Sequence, residues 1–221
     1  MCGKIMVIVF FEGGGQSLQL ARSDLAFLEG SADEAAQGLL GCVLSSDIGG
    51  FHTSVRIVET EAYDQDDPAS HAFHGLSRRN RALFGPAGHA YIYVSHGIYH
   101  CCNITAGVEG YGAGALIRAV EPIDGIDVLQ SRRAKNAVEL TNGPAKLCQA
   151  LGIDMSLYGH DFTSSPLVLR YAALRRGERI VRTPRVGITK ATERLRRFVI
   201  ANNPYVSKAP RSIRNRSEFL L

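Results

Sequence analysis

The sequence predicts an α+β fold: a single mixed domain with a curved antiparallel β-sheet, flanking helices and a protruding β-hairpin. Strand-like stretches dominate the middle of the chain, and helix-like stretches flank them. The strands are joined too closely for the crossovers that parallel strands need, which favours antiparallel pairing. A chain of 221 residues with 45% hydrophobic residues can bury a sizeable core, and its length favours one domain.

Each element has its own signal in the sequence. ADEAAQGLLGCVL begins with the spacing of an amphipathic helix and becomes strand-like after Gly41. SVRIVETEAY is typical of a strand, HAYIYVSHGIYHCCNITA of two strands joined at Gly97, and GALIRAVEP of a further strand that ends at Pro122. GIDVLQSRRAKNA and GPAKLCQALGI are predicted to be helical, the second with Pro144 near its start and Gly152 after its end.

Composition and the N-terminal residues indicate a cytoplasmic protein without a membrane span. The apolar run Ile5 to Phe11 is too short to cross a membrane, and EGGGQSLQLARSD after it offers no clear signal-peptide cleavage site. We expect a buried strand or an ordered leader there. The five cysteines are odd in number and lack paired metal-type spacing, which favours reduced thiols over a disulfide scaffold.

Charge is distributed unevenly along the chain. The formal net charge is +4 at pH 7, yet residues 1–70 hold 3 basic and 11 acidic side chains, whereas residues 151–221 hold 14 basic and 5 acidic ones. Most of the basic residues in the last third are arginines, whose forked guanidinium suits phosphate recognition. From charge alone, a solvated surface and a polyanion-binding surface remain equally good interpretations.

The stretch VETEAYDQDDPASHAFHG, residues 58–75, gathers five carboxylates and two histidines in a chain that is slightly basic overall. Alternation along the predicted strand places Ile57, Glu59, Glu61 and Tyr63 on one face. If that face is enclosed, its two carboxylates and its tyrosine need an explanation.

The residues after this strand are typical of an active-site loop. We expect Asp64, Asp66 and Asp67 to be solvated in it. His71 and His74 stand three residues apart in the same loop.

Three functions could use these parts. A metal-dependent hydrolase would take Glu59, Glu61, His71 and His74 as ligands, although the sequence contains no HExxH motif. A nuclease or glycosidic-bond hydrolase would use one carboxylate as general base and the basic segment to hold nucleic acid. A non-catalytic module would bind nucleic acid and keep the carboxylates for structural purposes.

Aromatic residues on the next strand favour nucleic acid. Tyr91 and Tyr93 project from the same strand face, and His96 and Gly97 fall at the expected hairpin tip. Aromatic faces beside a carboxylate form a stacking slot for a flat ligand, and a base is the commonest flat group on a polyanion. A tyrosine-rich strand pair in the core would give the same pattern, so this segment alone leaves both interpretations open.

Seven blocks of the sequence resemble, in order, the alkyladenine (3-methyladenine) DNA glycosylase family, the mammalian-type monofunctional enzymes. The resemblance runs from about Leu25 to Ser207. We therefore predict an N-terminal extension at 1–24, a glycosylase domain at 25–207 and a basic C-terminal tail at 208–221. The blocks are RIVETEAY, ASHAFHGLSRRNRALFGPAGHAYIYVSHGIYHCCNI, ALIRAVEP, NGPAKLCQALGID, GHDFTSSPLVL, TPRVGITKA and RFVIANNPYVS.

The resemblance implies an enzyme of base excision repair. Such an enzyme binds double-stranded DNA from the minor groove, flips a damaged purine out and hydrolyses its N-glycosidic bond, leaving an abasic site. The expected lesions are 3-methyladenine and 7-methylguanine first, with hypoxanthine and ethenoadenine as further candidates. We expect a monomer without cofactor or metal, in the cytoplasm and at the nucleoid of a bacterium. A lyase step would need an amine nucleophile, and no lysine lies between Glu61 and Asn103.

Position by position, the resemblance also assigns catalytic roles. Glu61, the second glutamate of ETEAY, matches the general base. Arg118 and the backbone carbonyl of Val186 match two further contacts of the attacking water. Glu59 matches no chemical role, and we expect it to be structural.

The remaining matches concern the flipped base. Tyr63, His71 and Tyr93 match the residues that enclose it, and Asn103 matches the one that discourages guanine by crowding its exocyclic amine. The sequence departs from the family at the hairpin tip, where His96 stands in place of a tyrosine wedge.

Two further departures lie towards the C-terminus. The tryptophan that many members carry before RF is missing, which we expect to alter packing rather than chemistry. The tail falls outside the match, and phosphate contacts are expected for Lys208, Arg211, Arg214 and Arg216.

Overall fold

The computed structural model describes residues 22–208. The strand or leader expected at Ile5 to Phe11, and the phosphate contacts expected of Arg211, Arg214 and Arg216, lie outside the described residues. The part that is described contains the whole of the predicted glycosylase domain, 25–207.

Strands dominate the middle of the chain with helices before and after them, as predicted, and three further strands that were not predicted follow the last helix. Three α-helices are Ala32–Gly38 (α1), Ile126–Arg133 (α2) and Pro144–Leu151 (α3). Short 3-10 helices occupy Arg22–Glu29, Ile48–Gly50, Arg81–Phe84, Ala137–Leu140 and Met155–Leu157. The strands within residues 22–208 are β1 Val43–Ser46, β2 Thr53–Asp64, β3 Ala90–Ser95, β4 Tyr99–Thr105, β5 Ala113–Asp124, β6 Leu167–Arg170, β7 Ile180–Thr183 and β8 Arg197–Ile200.

The strands form one curled antiparallel sheet in a mixed α+β domain, as predicted. The main path of the sheet runs β3-β4-β5-β2-β1-β6. Strand β2 is its centre, because β5 pairs along one edge of β2 while β1 and then β8 pair along the other. Residues near the C-terminal end of β2 are therefore surrounded by neighbouring strands on both sides.

The predicted face of β2 is partly wrong because the strand contains a β-bulge. The register with β5 shifts between Ile57 and Glu59, so Ile57 and Val58 are both part of the hydrophobic core. An extra residue in one strand reverses the alternation beyond it. Glu59 and Glu61 do share a partner, the Arg118 guanidinium on β5, so these two carboxylates lie on one side as predicted.

Pro122 does not end its strand as predicted, since β5 continues to Asp124. Val55 pairs with Pro122 and Ser54 with Asp124, with a register shift between the two pairs. Strand β4 pairs with β5 only near residues 114–116, so Pro122 needs no ladder donor on that side. Proline is tolerated at such irregular edge positions.

The helices cover the sheet and close the core. A capping box starts α1, in which the Ser31 hydroxyl accepts from the Glu34 amide and the Glu34 carboxylate accepts from the Ser31 amide. The helix packs on β2, where the Thr60 hydroxyl donates to the Ala36 carbonyl at 2.7 Å. Helix α3 has Pro144 at its start and Gly152, with φ of 76°, after its end, as predicted.

Charges that are far apart in the sequence neutralise each other inside the fold. The Arg196 guanidinium lies 2.6 Å from Asp64 and 3.1 Å from Asp67, and it also pairs with Asp33 at 2.5 Å. Asp67 is completely buried and pairs with Arg185 as well. The prediction that Asp67 is solvated is therefore wrong, and part of the basic last third serves internal ion pairs.

Two further features concern the helices and the cysteines. Among residues 22–208 no helix is long and apolar enough to cross a membrane. Cys42, Cys101, Cys102 and Cys148 are free and buried. Burial raises the pKa of Cys102 to about 12, so this thiol stays protonated at neutral pH.

Candidate active site

One cavity of about 380 Å³ brings together every residue to which the family resemblance assigned a role in catalysis or base binding. It opens between β2, the β3–β4 hairpin, β5 and the segment after β7. Its walls also include Tyr91, Cys101 and Leu116. The eight predicted residues that line it are Glu61, Tyr63, His71, Tyr93, His96, Asn103, Arg118 and Val186.

Glu61 is a fully buried carboxylate that three donors hold in place. The Val186 amide donates to Oε1 at 2.7 Å. The Tyr63 hydroxyl donates to Oε2 at 2.8 Å, and Arg118 donates to the same oxygen from 3.3 Å. Because each donor comes from a different element or turn of the fold, the carboxylate has one fixed orientation toward the cavity.

Glu59 lies behind Glu61, and both oxygens of its carboxylate accept hydrogen bonds from neighbouring residues. Its carboxylate accepts from the guanidiniums of Arg118 at 2.9 Å and Arg197 at 2.7 Å, and from the Ser207 amide and hydroxyl at 2.6 and 2.8 Å. Burial alone would raise the pKa of Glu59, but the two guanidiniums outweigh it, and the pKa is lowered. These contacts fit the structural role expected of Glu59.

Arg118 links the two carboxylates and is itself held as a cation. Burial alone would lower its pKa, but the carboxylates of Glu61 and Glu59 outweigh this effect, and the pKa is raised. The guanidinium therefore remains charged beside Glu61. Its side chain is 9% exposed, so its charge acts in a largely water-free environment.

Three aromatic side chains form another wall of the cavity. The Tyr91 and Tyr93 rings are stacked with centroids 5.7 Å apart, as expected for residues on one strand face. The His71 ring meets Tyr93 edge-on at 4.6 Å, and its Nδ1 lies 2.8 Å from the Tyr91 hydroxyl. Burial, and secondarily Arg79, lowers the pKa of His71, so its imidazole is neutral at pH 7. This wall is uncharged and aromatic, with the His71 ring nearly perpendicular to the two tyrosine rings.

The four residues of the alternative metal site do not form a ligand cluster. Across residues 22–208 no group of three or more His, Cys, Asp or Glu side chains is placed to hold a metal ion. Glu59 faces Arg118 and Arg197, and His74 is exposed with its ring against Phe73. The set of Glu59, Glu61, His71 and His74 is therefore a wrong prediction.

Comparison with known proteins shows the family of this chain. The family model of methylpurine-DNA glycosylase (MPG) matches residues 26–204. The chain belongs to the methylpurine-DNA glycosylase family. It is therefore a DNA glycosylase, a hydrolase of N-glycosyl bonds, as the resemblance implied.

Curated relatives agree with this assignment. A protein of Methanoculleus marisnigri is 45% identical over 192 residues, which is 83% of this chain and 97% of that protein. One from Carboxydothermus hydrogenoformans is 44% identical over 179 residues, or 78% of this chain and 92% of the relative. One from Corynebacterium glutamicum is 45% identical over 179 residues, or 80% and 92%. All three carry the name "Putative 3-methyladenine DNA glycosylase".

The glycosylase places His96 at the apex of the β3–β4 hairpin, on the rim of the cavity. His96 has φ of 51° and Gly97 φ of 77°, and the Ile98 amide donates to the Ser95 carbonyl at 3.2 Å, which closes a tight turn. Ile98 and Tyr99 beside it are 69% and 50% exposed. The hairpin thus presents an imidazole and two apolar groups at its tip.

Asn103 faces the cavity from β4 and is 6% exposed. Its Nδ2 donates to the Tyr91 carbonyl at 3.0 Å. The amide is therefore fixed relative to the aromatic wall, at the position where the sequence predicted a contact with the base.

Sequence reasoning missed the residues that support the glycosylase site from behind. Arg185, Arg197 and Ser207 contact Tyr63, Glu59 or the chain between them, but none was predicted as a site residue. The signal that could have found two of them is the pair of carboxylates on an interior strand. Buried carboxylates need guanidinium partners, and the last third of the chain is rich in arginine.

Proposed function

We propose that this protein is a monofunctional DNA glycosylase of base excision repair that removes alkylated purines with a water activated by Glu61. The observation that carries the proposal is the Glu61 carboxylate, fully buried and fixed by three donors in a cavity with aromatic walls. Membership in the methylpurine-DNA glycosylase family supports the substrate class.

The proposed reaction depends on the positive charge that develops on the sugar and on the negative charge of the nearby carboxylate. Cleavage of an N-glycosidic bond gives the sugar an oxocarbenium character, so an adjacent carboxylate both stabilises the developing cation and accepts a proton from water. Arg118 and the carbonyl of Val186 would hold that water. An alkylated purine is already cationic and leaves without much acid assistance. The lining residues within 22–208 include no lysine, so the cavity offers no side-chain amine for a lyase step.

Base recognition would use the aromatic walls of the cavity. A flipped purine would stack between Tyr63 and the surface formed by Tyr93 and His71, while Asn103 crowds the exocyclic amine of guanine. The substrates would be 3-methyladenine and 7-methylguanine, with hypoxanthine and ethenoadenine as further candidates. His96 would fill the gap in the duplex. The enzyme would act as a monomer on double-stranded DNA at the nucleoid.

The decisive experiment is an excision assay in excess EDTA. Incubation with methylated duplex DNA should release free 3-methyladenine and leave abasic sites, whereas unmethylated DNA should release no base. Release that stops in EDTA and returns with a divalent metal would indicate a metal-dependent hydrolase instead. Lesion-specific binding without any base release would indicate a non-catalytic DNA-binding protein.

Tyr93→Ala tests the stacking role separately from catalysis. We expect it to weaken binding of lesion-containing duplex by about 1–3 kcal/mol, the usual contribution of one stacked base. The measurement is the affinity difference between lesion and undamaged duplexes in a Glu61→Gln background. Tyr171→Ala, at a 54% exposed tyrosine outside the cavity, is the control and should leave this difference unchanged. An unaltered difference in Tyr93→Ala would refute the stacking role.

A further inference from the structure

Arg185 is a completely buried guanidinium that does not line the cavity. Its Cζ lies over the Tyr63 ring, 4.6 Å from the ring centroid. Tyr63 does line the cavity, so Arg185 covers the ring face that is turned away from the bound base. The guanidinium also donates to the Ala62 carbonyl at 3.0 Å and to the Asp67 carboxylate at 3.0 Å.

The same arginine belongs to a closed ring of contacts around the catalytic carboxylate. The next residue, Val186, donates its amide to Glu61, and Glu61 accepts from the hydroxyl of the tyrosine that Arg185 covers. The position of the Tyr63 ring, the Glu61 carboxylate and the segment after β7 are thus fixed together. Arg185 is held too firmly for its charge to move away from the ring.

A cation on one face of an aromatic ring changes what the other face binds. A ring attracts a cation through its negative face, a contribution of about 0.5–2 kcal/mol. When a guanidinium already occupies one face, a cationic base on the opposite face meets both a weakened face and a like charge. A neutral base stacks without that repulsion. A guanidinium on the face of the ring opposite the base would therefore weaken the binding of cationic bases relative to neutral ones.

The negative charge of Asp67 reduces the repulsion between Arg185 and a cationic base but does not cancel it. Its carboxylate pairs with Arg185 but also with Arg196, and Arg194 approaches to 4.0 Å. One carboxylate is thus shared among three guanidiniums. Of these groups, the Arg185 guanidinium is the one that contacts the Tyr63 ring, so its positive charge is closest to the bound base.

We propose that Arg185 is a specificity-determining residue, which lowers the preference of the pocket for cationic purines relative to neutral ones through the ring of Tyr63. This inference rests on the proposed function. It adds that the pocket binds neutral lesions such as hypoxanthine better, relative to cationic lesions, than it would if no guanidinium covered the back of the tyrosine ring.

The test compares lesion affinities in a Glu61→Gln background, so that no base is released during the measurement. One duplex carries 7-methylguanine, a cation, and an otherwise identical duplex carries neutral hypoxanthine. Arg185→Met keeps an unbranched apolar stem against the ring but removes the charge. We expect it to raise the affinity ratio of 7-methylguanine to hypoxanthine by about three- to tenfold. Arg185→Lys, which keeps the charge, should leave the ratio near that of the parent protein.

Asp67→Asn provides an opposite change that does not touch the ring. It uncovers the charge of Arg185 and should lower the same ratio, and it tests the inference even if Arg185→Met fails to fold. A purely structural role would weaken both lesions equally, so unchanged ratios in Arg185→Met or Asp67→Asn would overturn the inference. Failure of the proposed function looks different, because the parent protein would then bind neither lesion better than undamaged DNA.

Discussion

Glu61→Gln is expected to reduce release of alkylated purines by at least about a hundredfold, the loss associated with removing a general base. Glutamine is nearly isosteric: its single carbonyl oxygen can keep the bond from the Val186 amide, which Glu61 now accepts on Oε1, while its NH2 group takes the place of Oε2 and can donate to the Tyr63 hydroxyl oxygen. It cannot accept a proton from water, and it brings no negative charge to the developing oxocarbenium. Binding of lesion-containing duplex should therefore remain close to that of the parent protein.

The measurement is a single-turnover excision rate with enzyme in excess over methylated duplex. Asp66→Asn is the matched control, because Asp66 belongs to the same acidic stretch but is exposed and does not line the cavity. Its carboxylate accepts a hydrogen bond from the Tyr111 hydroxyl, which also lies outside the cavity lining. The control should excise at the parent rate. Excision by Glu61→Gln at the parent rate would mean that another group activates the water.

Glu59→Ala is expected to lower the free energy of unfolding by about 3–5 kcal/mol. The change removes one carboxylate and leaves the Arg118 and Arg197 guanidiniums in a buried site with one negative charge fewer. It also leaves the Ser207 amide without its acceptor. Urea unfolding measures the effect, and Glu109→Ala, at an exposed glutamate, should change stability little. A loss below about 1 kcal/mol would show that water enters and solvates the two guanidiniums.

The same carboxylate predicts a response to acid. The folded-state pKa of Glu59 lies below its ordinary value of 4.5, so its stabilising contribution is complete above that value and is lost as the pH falls through the folded pKa. Asp67, whose pKa is also lowered, behaves in the same way. As the pH falls below 5, the free energy of unfolding of Glu59→Ala should therefore decrease less steeply than that of the parent protein.

Local patterns in the sequence were enough to find β1 to β5 and the aromatic wall of the cavity, whereas β6, β7 and β8 were not predicted. Alternation on β2 and on the β3–β4 hairpin brought Glu61, Tyr63, Tyr91 and Tyr93 to the right faces, because side-chain direction in a strand depends on neighbours only one or two residues away. The bulge beyond Ile57 was missed, since an extra residue in a ladder depends on how the partner strand pairs.

The supporting residues of the site could not be read from local patterns. Arg185 reaches Asp67 across 118 residues, Arg197 reaches Glu59 across 138 residues, and Ser207 reaches Glu59 across 148 residues. Such contacts are set by the path of the whole chain. The uneven charge along the sequence was a real signal, but in part it reports these internal pairs rather than a surface for DNA.

The position of Ser207 in the sequence determines when its contacts with Glu59 can form during synthesis. Its amide and hydroxyl both donate to the Glu59 carboxylate, which in turn pairs with Arg118 beside the Glu61 carboxylate. Synthesis runs from the N-terminus, so β2 leaves the ribosome long before residue 207 follows it. A partly made chain therefore lacks the last two donors to the Glu59 carboxylate until residue 207 has been synthesised.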